Sequence, residues 1–326
     1  MLNNKRYWGE IQWVFSHLPE MKWSYIGAIS TEDRSVQTLS YLKSKNCLLE
    51  SIAYEIHDPP STQQALVEKL IKKNRKKFAS ILQDRNKIEE HGLLEGYQKY
   101  ISSIDKFLTN STENIVLDIS SLPKRFFFPF LKRILEQKKV KNFLVTYTTP
   151  KEYSAGDLSG NPESWSHLPL FGPIVHPEPD FDMAFVGVGF MPFALPRLLL
   201  GKYSSIPVKF LFPFPPGPPN FQRTWEFMRK IEKDYKLKDT DSIIRVDSNN
   251  ATDTFDFIYH ETNQGKHRAL FAPYGPKPTS LAMCLFAIKH NSSVFYTQPR
   301  FYNPEYSKGV GKIYSYCVRL NGKNLY

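Results

Sequence analysis

The residues best suited to chemistry in this chain occur in a repeated phrase. Tyr147-Thr148-Thr149-Pro150-Lys151-Glu152-Tyr153 and Tyr296-Thr297-Gln298-Pro299-Arg300-Phe301-Tyr302 both read Tyr-Thr-x-Pro-basic-x-Tyr. Phenols beside cations can stack on and hydrogen-bond to a flat polar ligand. Tyr147, Tyr296, Gln298 and Tyr302 are therefore candidate ligand contacts.

Other polar clusters share one character, a taste for anions. Ser30-Thr31-Glu32-Asp33-Arg34 follows an apolar run, and Asp118-Ile119-Ser120-Ser121-Leu122-Pro123-Lys124-Arg125 follows another. In the second half the counterpart is Tyr274-Gly275-Pro276-Lys277-Pro278-Thr279-Ser280. The last of these opens a helix, where free N–H groups and the dipole attract negative charge. Lys277 adds a full charge, and Thr279 and Ser280 add donors. The plainer alternative is that the two hydroxyls cap the helix and Lys277 is solvated. Ser30, Arg34, Ser120, Ser121, Lys124, Tyr274 and Gly275 complete the candidate ligand set.

Catalytic patterns are scarce. Glu32, Asp118 and Tyr147 could serve acid–base chemistry if they converge. Glu32 and Arg34 could equally form a local salt bridge, and Asp118 could hold its own loop through backbone N–H groups. The chain carries no GxxxxGK[ST] and no GxSxG. GVGFMP has Pro192 where a dinucleotide fingerprint needs its third glycine, and His260-Glu261 lacks the second histidine of HExxH. Eight dispersed histidines and three scattered cysteines imply no metal site, no disulfide framework and no cofactor. Cys47, Cys284 and Cys317 sit in apolar contexts and read as buried thiols.

The elements that position these residues alternate. YIGAIS (25–30), LLESIAYEI (48–56), NIVLDIS (114–120) and NFLVTYT (142–148) read as strands. Helical spacing covers the stretch after the first of these, residues 61–109, and LPKRFFFPFLKRILEQ. Residues 150–180 are a Pro/Gly/Ser-rich connection that packs through Trp165, Leu168 and Phe171. FVGVGF (185–190), VKFLFPF (208–214), SIIRVDS (242–248), HRALFAPYG (267–275) and SSVFYTQP restart the strand–helix alternation. PFPPGPP (213–219) reads as a rigid polyproline-like turn, and KIYSYCVRL (312–320) as a closing edge strand.

In each half a buried strand leads to a Pro-Lys-opened helix, then to a strand ending in the repeated phrase. Pro123-Lys124 matches Pro276-Lys277 at an offset of 153 residues, while Tyr147 matches Tyr296 at 149. The four-residue loss is about one helical turn and predicts a shorter second helix. The expected fold is α/β: two tandem Rossmann-like units, each a mostly parallel sheet flanked by helices, with a C-terminal edge strand. The expected domains are 1–150 and 181–326, joined by 151–180. Ligands of open parallel sheets bind beyond the C-terminal strand ends, where the polar clusters lie.

The chain of 326 residues has formal net charge +11 and favours anionic partners. Lys72, Lys73, Arg75, Lys76 and Lys77 form a basic run that could meet nucleic acid, or be a solvated helix face. The N-terminus lacks a secretory h-region and the longest uncharged run is too short and broken to span a bilayer. These features predict a cytoplasmic protein.

The strand followed by GPKPTSLAM, with Lys277 and Ser280 opening a helix, resembles the ligand turn of CARF and SAVED sensor domains. Where those families carry small residues before the lysine, this chain has Tyr274-Gly275-Pro276. The resemblance implies paired Rossmann-like units that bind a cyclic or linear oligonucleotide in prokaryotic antiviral signalling. It also implies a separate partner carrying any effector activity. The preferred expectation is thus a non-catalytic sensor of an anionic, nucleotide-like ligand. The alternatives are an enzyme acting on a nucleotide or phosphosugar, and a scaffold subunit of a larger protein or nucleic-acid complex.

Overall fold

Short runs rich in Ile, Val and Phe, each followed by a helix, require crossover connections and therefore parallel strands. The computed structural model describes residues 6–81, 87–154, 156–173, 180–215 and 221–326. It divides into two units, Met1–Asp157 with Arg300–Leu325, and Leu158–Pro299 with Tyr326.

The first unit begins with β1 (Trp8–Glu10), α1 (Ile11–Ser16), β2 (Trp23–Ile29), a 3-10 turn (Asp33–Val36) and α2 (Gln37–Ser44). It continues with β3 (Leu48–His57), α3 (Gln64–Ile81), β4 (Lys87–Gly92) and α4 (Tyr97–Asn110). Then come β5 (Asn114–Asp118), α5 (Lys124–Glu136), β6 (Asn142–Thr148) and β7 (Glu152–Tyr153). The second unit holds β8 (Ser159–Pro162), β9 (Ser166–His167), β10 (Met183–Gly187), α6 (Leu195–Leu200), β11 (Val208–Phe214) and α7 (Phe221–Glu232). It goes on through β12 (Ser242–Asp247), α8 (Ala251–Glu261), β13 (Ala269–Pro273), α9 (Lys277–His290) and β14 (Phe295–Tyr296). β15 (Pro299–Tyr302) leads back to the first unit, which ends with β16 (Ser307–Lys308), β17 (Ile313–Leu320) and β18 (Lys323–Asn324).

The first sheet runs β1-β17-β6-β5-β2-β3-β4, with β18 on β17. β6, β5, β2, β3 and β4 are parallel to their neighbours. β17 lies antiparallel to β6, and β1 antiparallel to β17. The second sheet runs β12-β11-β10-β13, all parallel. Just ahead of β14, Val294 bridges Phe271 in parallel on the far side of β13. Counting parallel strands within each unit, both follow the spatial order third, second, first, fourth; the first unit adds a fifth, β6, where the second has the single Val294 bridge. That shared order is an α/β Rossmann-like architecture repeated in tandem.

Burial explains why the units hold. Ile26, Ile52, Val116, Phe143 and Val145 are fully buried in the first sheet, as are Phe126, Phe127, Phe128 and Phe130 of α5. Each such Phe contributes roughly 1.5–3 kcal/mol relative to exposure. α9 is buried from Pro278 to Ala287, as an apolar helix must be when its surface is covered all round. Leu168 and Phe171 are likewise buried in the connecting stretch.

Several expectations change. Residues 87–92 are the strand β4 within the stretch read as helical. Its sequence, KIEEHG, is that of a charged edge strand with little apolar alternation. The strand at 313–320 belongs to the first unit and is not at the edge, because β1 pairs along its outer side. α9 is not shorter than α5, with 14 residues against 13. The missing residues come from the connection and the last strand, where β14 has 2 residues and β6 has 7. Residues 216–219 of PFPPGPP lie outside the described residues.

Candidate functional site

In each unit the first strand sends its helix one way along the sheet, and the fourth strand lies on its other side. The point of divergence is the switch point, between β2 and β5 in the first unit and between β10 and β13 in the second. Crevices of this kind are the usual ligand sites of open α/β sheets. The candidate residues gather at the strand ends around these two points.

At the first switch point, Ser30 closes β2 and its hydroxyl accepts the Glu32 N–H at 3.1 Å. Asn74 of α3 is fully buried and donates to the Ser30 carbonyl at 2.8 Å. Asp118 ends β5, and its Oδ1 accepts both the N–H of Ser120, at 2.8 Å, and its hydroxyl. Ser120 Oγ in turn accepts the Thr148 N–H at 2.7 Å. Ser121 donates to the Ala28 carbonyl at 3.4 Å. This lattice ties three strand ends together and uses Asp118 as the holder of its own loop.

Lys124 is the first residue of α5 and is 8% exposed. Burial pushes its ammonium down to about 7. A lysine at a helix N-terminus with a charge that burial disfavours gains most from an anion brought to it.

Arg34 is engaged as a strut. Nε and Nη2 donate to the two Glu32 oxygens at 2.9 and 3.1 Å, and Nη1 donates to the Thr148 carbonyl at 2.9 Å. Burial works against this guanidinium, but Glu32, then Tyr147 and Tyr153, offset it and hold the charge more firmly than usual. The guanidinium carbon lies 5.6 Å from the Tyr147 ring centre. Glu32 also accepts the Ser307 hydroxyl. The sequence pair read as either a base or a salt bridge is therefore a salt bridge.

Tyr147 is 4% exposed and its hydroxyl meets that of Tyr153 at 3.4 Å. The Tyr153 ring packs edge-on against Tyr306 at 5.9 Å, and Tyr306 against Tyr302 at 6.3 Å. Burial pushes the phenols of Tyr153 and Tyr306 up. Tyr147 thus belongs to an aromatic cluster under the rim, with Tyr302 at its far end.

The second switch point is closer-packed. A Cβ on Gly189 would collide with the Tyr274 carbonyl, so the β10 and β13 exits run backbone against backbone there. The Tyr274 hydroxyl lies 2.6 Å from that of Thr297, and its ring 5.5 Å from Tyr296. Burial raises the Tyr274 phenol. Ser280 donates back to the Pro276 and Gly275 carbonyls at 3.0 and 3.4 Å, so its proton serves its own loop. Gln298 Nε2 donates to the Pro299 carbonyl at 2.8 Å. Lys277, the first residue of α9, is half-buried. Thr279 is 1% exposed, and among the described residues its hydroxyl has no hydrogen-bond partner.

The basic run divides by function. Lys73 and Lys77 hold Asp33 at 2.9 and 2.8 Å, and Lys77 leads the causes that pull its carboxyl below the usual range. Arg75 bridges Glu55 and Glu90 at 3.1 and 2.7 Å. Lys72 and Lys76, one helical turn apart, are exposed.

Three groups escape a local reading of the sequence. Asp58 lies just beyond β3, accepts the Tyr302 N–H at 2.7 Å and is pushed up to about 6 by burial. Ser307 and Asn74 reach the rim from distant parts of the chain. Pro59 and Pro60 mark the end of the strand in the sequence, but no local signal tells that the Asp58 carboxyl turns inward. Among the described residues no three His, Cys, Asp or Glu side chains group as metal ligands, and no helix is long and apolar enough to cross a membrane.

No protein-family model matches the chain, and no curated protein matches it. Among solved structures it is similar to a universal stress protein from Archaeoglobus fulgidus DSM 4304. The identity is 11% and the TM-score 0.26, over 85% of this chain and 96% of that one. It is also similar to the cytoplasmic domain of a prokaryotic cation chloride cotransporter. There the identity is 8% and the TM-score 0.23, over 86% of this chain and 96% of that one. Neither likeness bears on what this chain binds; its fold class follows from its own strand order and helices.

Proposed function

We propose that the chain is a non-catalytic ligand-binding regulatory protein, and that its ligand is an anionic, nucleotide-like molecule held at the carboxyl rim of the strands. The observation that carries this reading is the doubled Pro-Lys helix start. Each unit sets a lysine, Lys124 or Lys277, at the first position of the helix beside its switch point. A helix N-terminus, a cation and nearby hydroxyls are the three parts of a phosphate site.

The same rims argue against an enzyme. Glu32 is bound by Arg34 and Ser307, and Asp118 by Ser120, so both carboxylates are acceptors of structural donors. The resemblance to CARF and SAVED domains extends the proposal to a cyclic or linear oligonucleotide in prokaryotic antiviral signalling, with output through a separate protein partner.

Thermal-shift measurements with ATP, pyrophosphate and cyclic oligoadenylates test the reading. A ligand at 100-fold its Kd stabilises by about 2.7 kcal/mol. Lys124→Met and Lys277→Met should each remove the shift contributed by their own unit. A panel of anions that leaves the melting curve unmoved overturns the proposal.

A further inference from the structure

Residues 300–310 bring the chain back to the first unit, and their tethers trace a path. The Tyr302 N–H donates to Asp58, just beyond β3. The Ser307 hydroxyl donates to Glu32, just beyond β2. Ser307 and Lys308 then pair with Tyr153 and Glu152 of β7, just beyond β6, and the Ser154 N–H donates to the Tyr306 carbonyl at 3.1 Å. In the sheet, β3, β2, β5 and β6 are consecutive neighbours. A segment tied over β3 at one end and over β6 at the other crosses the ends of β2 and β5. It therefore crosses the switch point where Ser30, Ser120, Ser121 and Lys124 lie.

We infer that residues 300–310 form a strap that closes the anion rim of the first unit, and that Glu32 is its latch. This rests on the reading of that rim as a binding site. Glu32 faces two ways: its carboxylate takes two N–H groups of Arg34 and the hydroxyl of Ser307. A phosphate fits the same planar guanidinium fork as a carboxylate. A ligand phosphate that takes Arg34 displaces Glu32, and the displaced carboxylate no longer holds Ser307. Entry of the anion and release of the strap are then one exchange of partners. Gly309, at φ +70° in the left-handed region, follows the last strap pair and is suited to act as the hinge. An anion site with a latched strap is a regulated site, because ligand binding and strap opening share one free energy.

Glu152→Cys with Lys308→Cys sets two thiols on Cα partners of one antiparallel pair, a spacing that a disulfide bridges. With Lys277→Met added so that only the first unit binds, the oxidised variant should bind pyrophosphate about tenfold more weakly than the same protein reduced with dithiothreitol. Equal affinity in the two forms overturns the strap. Hydrogen exchange of the full chain without ligand supplies an independent reading. In Ser307→Ala, which removes the donor of the latch and leaves the Glu32–Arg34 pair in place, the amides of residues 302–308 should exchange about tenfold faster than in the native chain, with those of β5 unchanged. Unchanged exchange in the strap overturns the latch. Should pyrophosphate fail to bind even the reduced protein, the anion-site reading falls, and the exchange comparison alone decides the strap.

Discussion

The hydroxyl of Tyr274 lies 2.6 Å from that of Thr297, inside the second unit. In the first unit Ser120 Oγ accepts the N–H of Thr148, the counterpart of Thr297, at 2.7 Å. Each copy thus locks the threonine of its Tyr-Thr-x-Pro turn to the loop that follows its fourth strand. The repeated phrase persists for a structural reason before any ligand is considered. Tyr274→Phe removes one partner of a buried pair and should lower stability by about 1–3 kcal/mol. Denaturant unfolding followed separately in each unit checks this, and an unaltered midpoint contradicts it.

Asp118 serves its loop. Asp118→Ala should destabilise the first unit by about 1–3 kcal/mol, because the Ser120 N–H is buried and loses its acceptor. Asp118→Asn keeps one acceptor oxygen and should lose less. Equal losses in the two variants would show that the charge, not the acceptor, is what the loop needs.

Lys124 links ligand binding to pH. Its folded value of about 7 lies below the ordinary lysine value of 10.5, so the fold favours the neutral amine. The stability this group contributes is present above pH 10.5 and lost as pH falls through 7, a loss of several kcal/mol at about 1.4 kcal/mol per unit. An anion bound at the α5 N-terminus restores the charge and takes up a proton. Affinity for pyrophosphate should therefore fall as pH rises above 7. Isothermal calorimetry in buffers of different ionisation enthalpy measures the proton uptake, and binding without uptake at pH 8 contradicts the role given to Lys124.

Asp58 acts in the opposite sense. Burial raises its carboxyl to about 6, above the ordinary 3.8. The fold favours the protonated acid, so its contribution is complete below pH 4 and lost as pH rises through 6. The change is about 2–3 kcal/mol. In Asp58→Asn the pH 4–6 component of the stability curve should disappear. A curve that keeps that component assigns it to another group.

The basic run makes a split prediction about nucleic acid, which we propose as a partner of its exposed side. Lys72→Glu with Lys76→Glu should weaken any single-stranded nucleic acid binding and flatten its salt dependence, while stability stays within about 0.5 kcal/mol. Lys73→Ala with Lys77→Ala should instead release Asp33 and cost at most about 1 kcal/mol, because those pairs are partly exposed. Filter binding at two salt concentrations separates the pairs of variants.

The amino-acid sequence by itself determined the alternation of strands and helices, the duplication, and the polar clusters at the strand ends. These follow from periodicity and turn chemistry, which act over a few residues and need no knowledge of what lies across the sheet. Tertiary structure decided the rest. β4 is written in charges because an edge strand exposes one side, so its pattern does not announce a strand. β17 joins the first sheet because its Ile313–Arg319 register finds β6, a partner more than 160 residues away in the chain. Arg34 and Glu32 were legible as ionic neighbours. Only the folded chain brings Thr148 and Ser307 to them and turns a local pair into a buried tether, because long-range contacts leave no mark in local spacing.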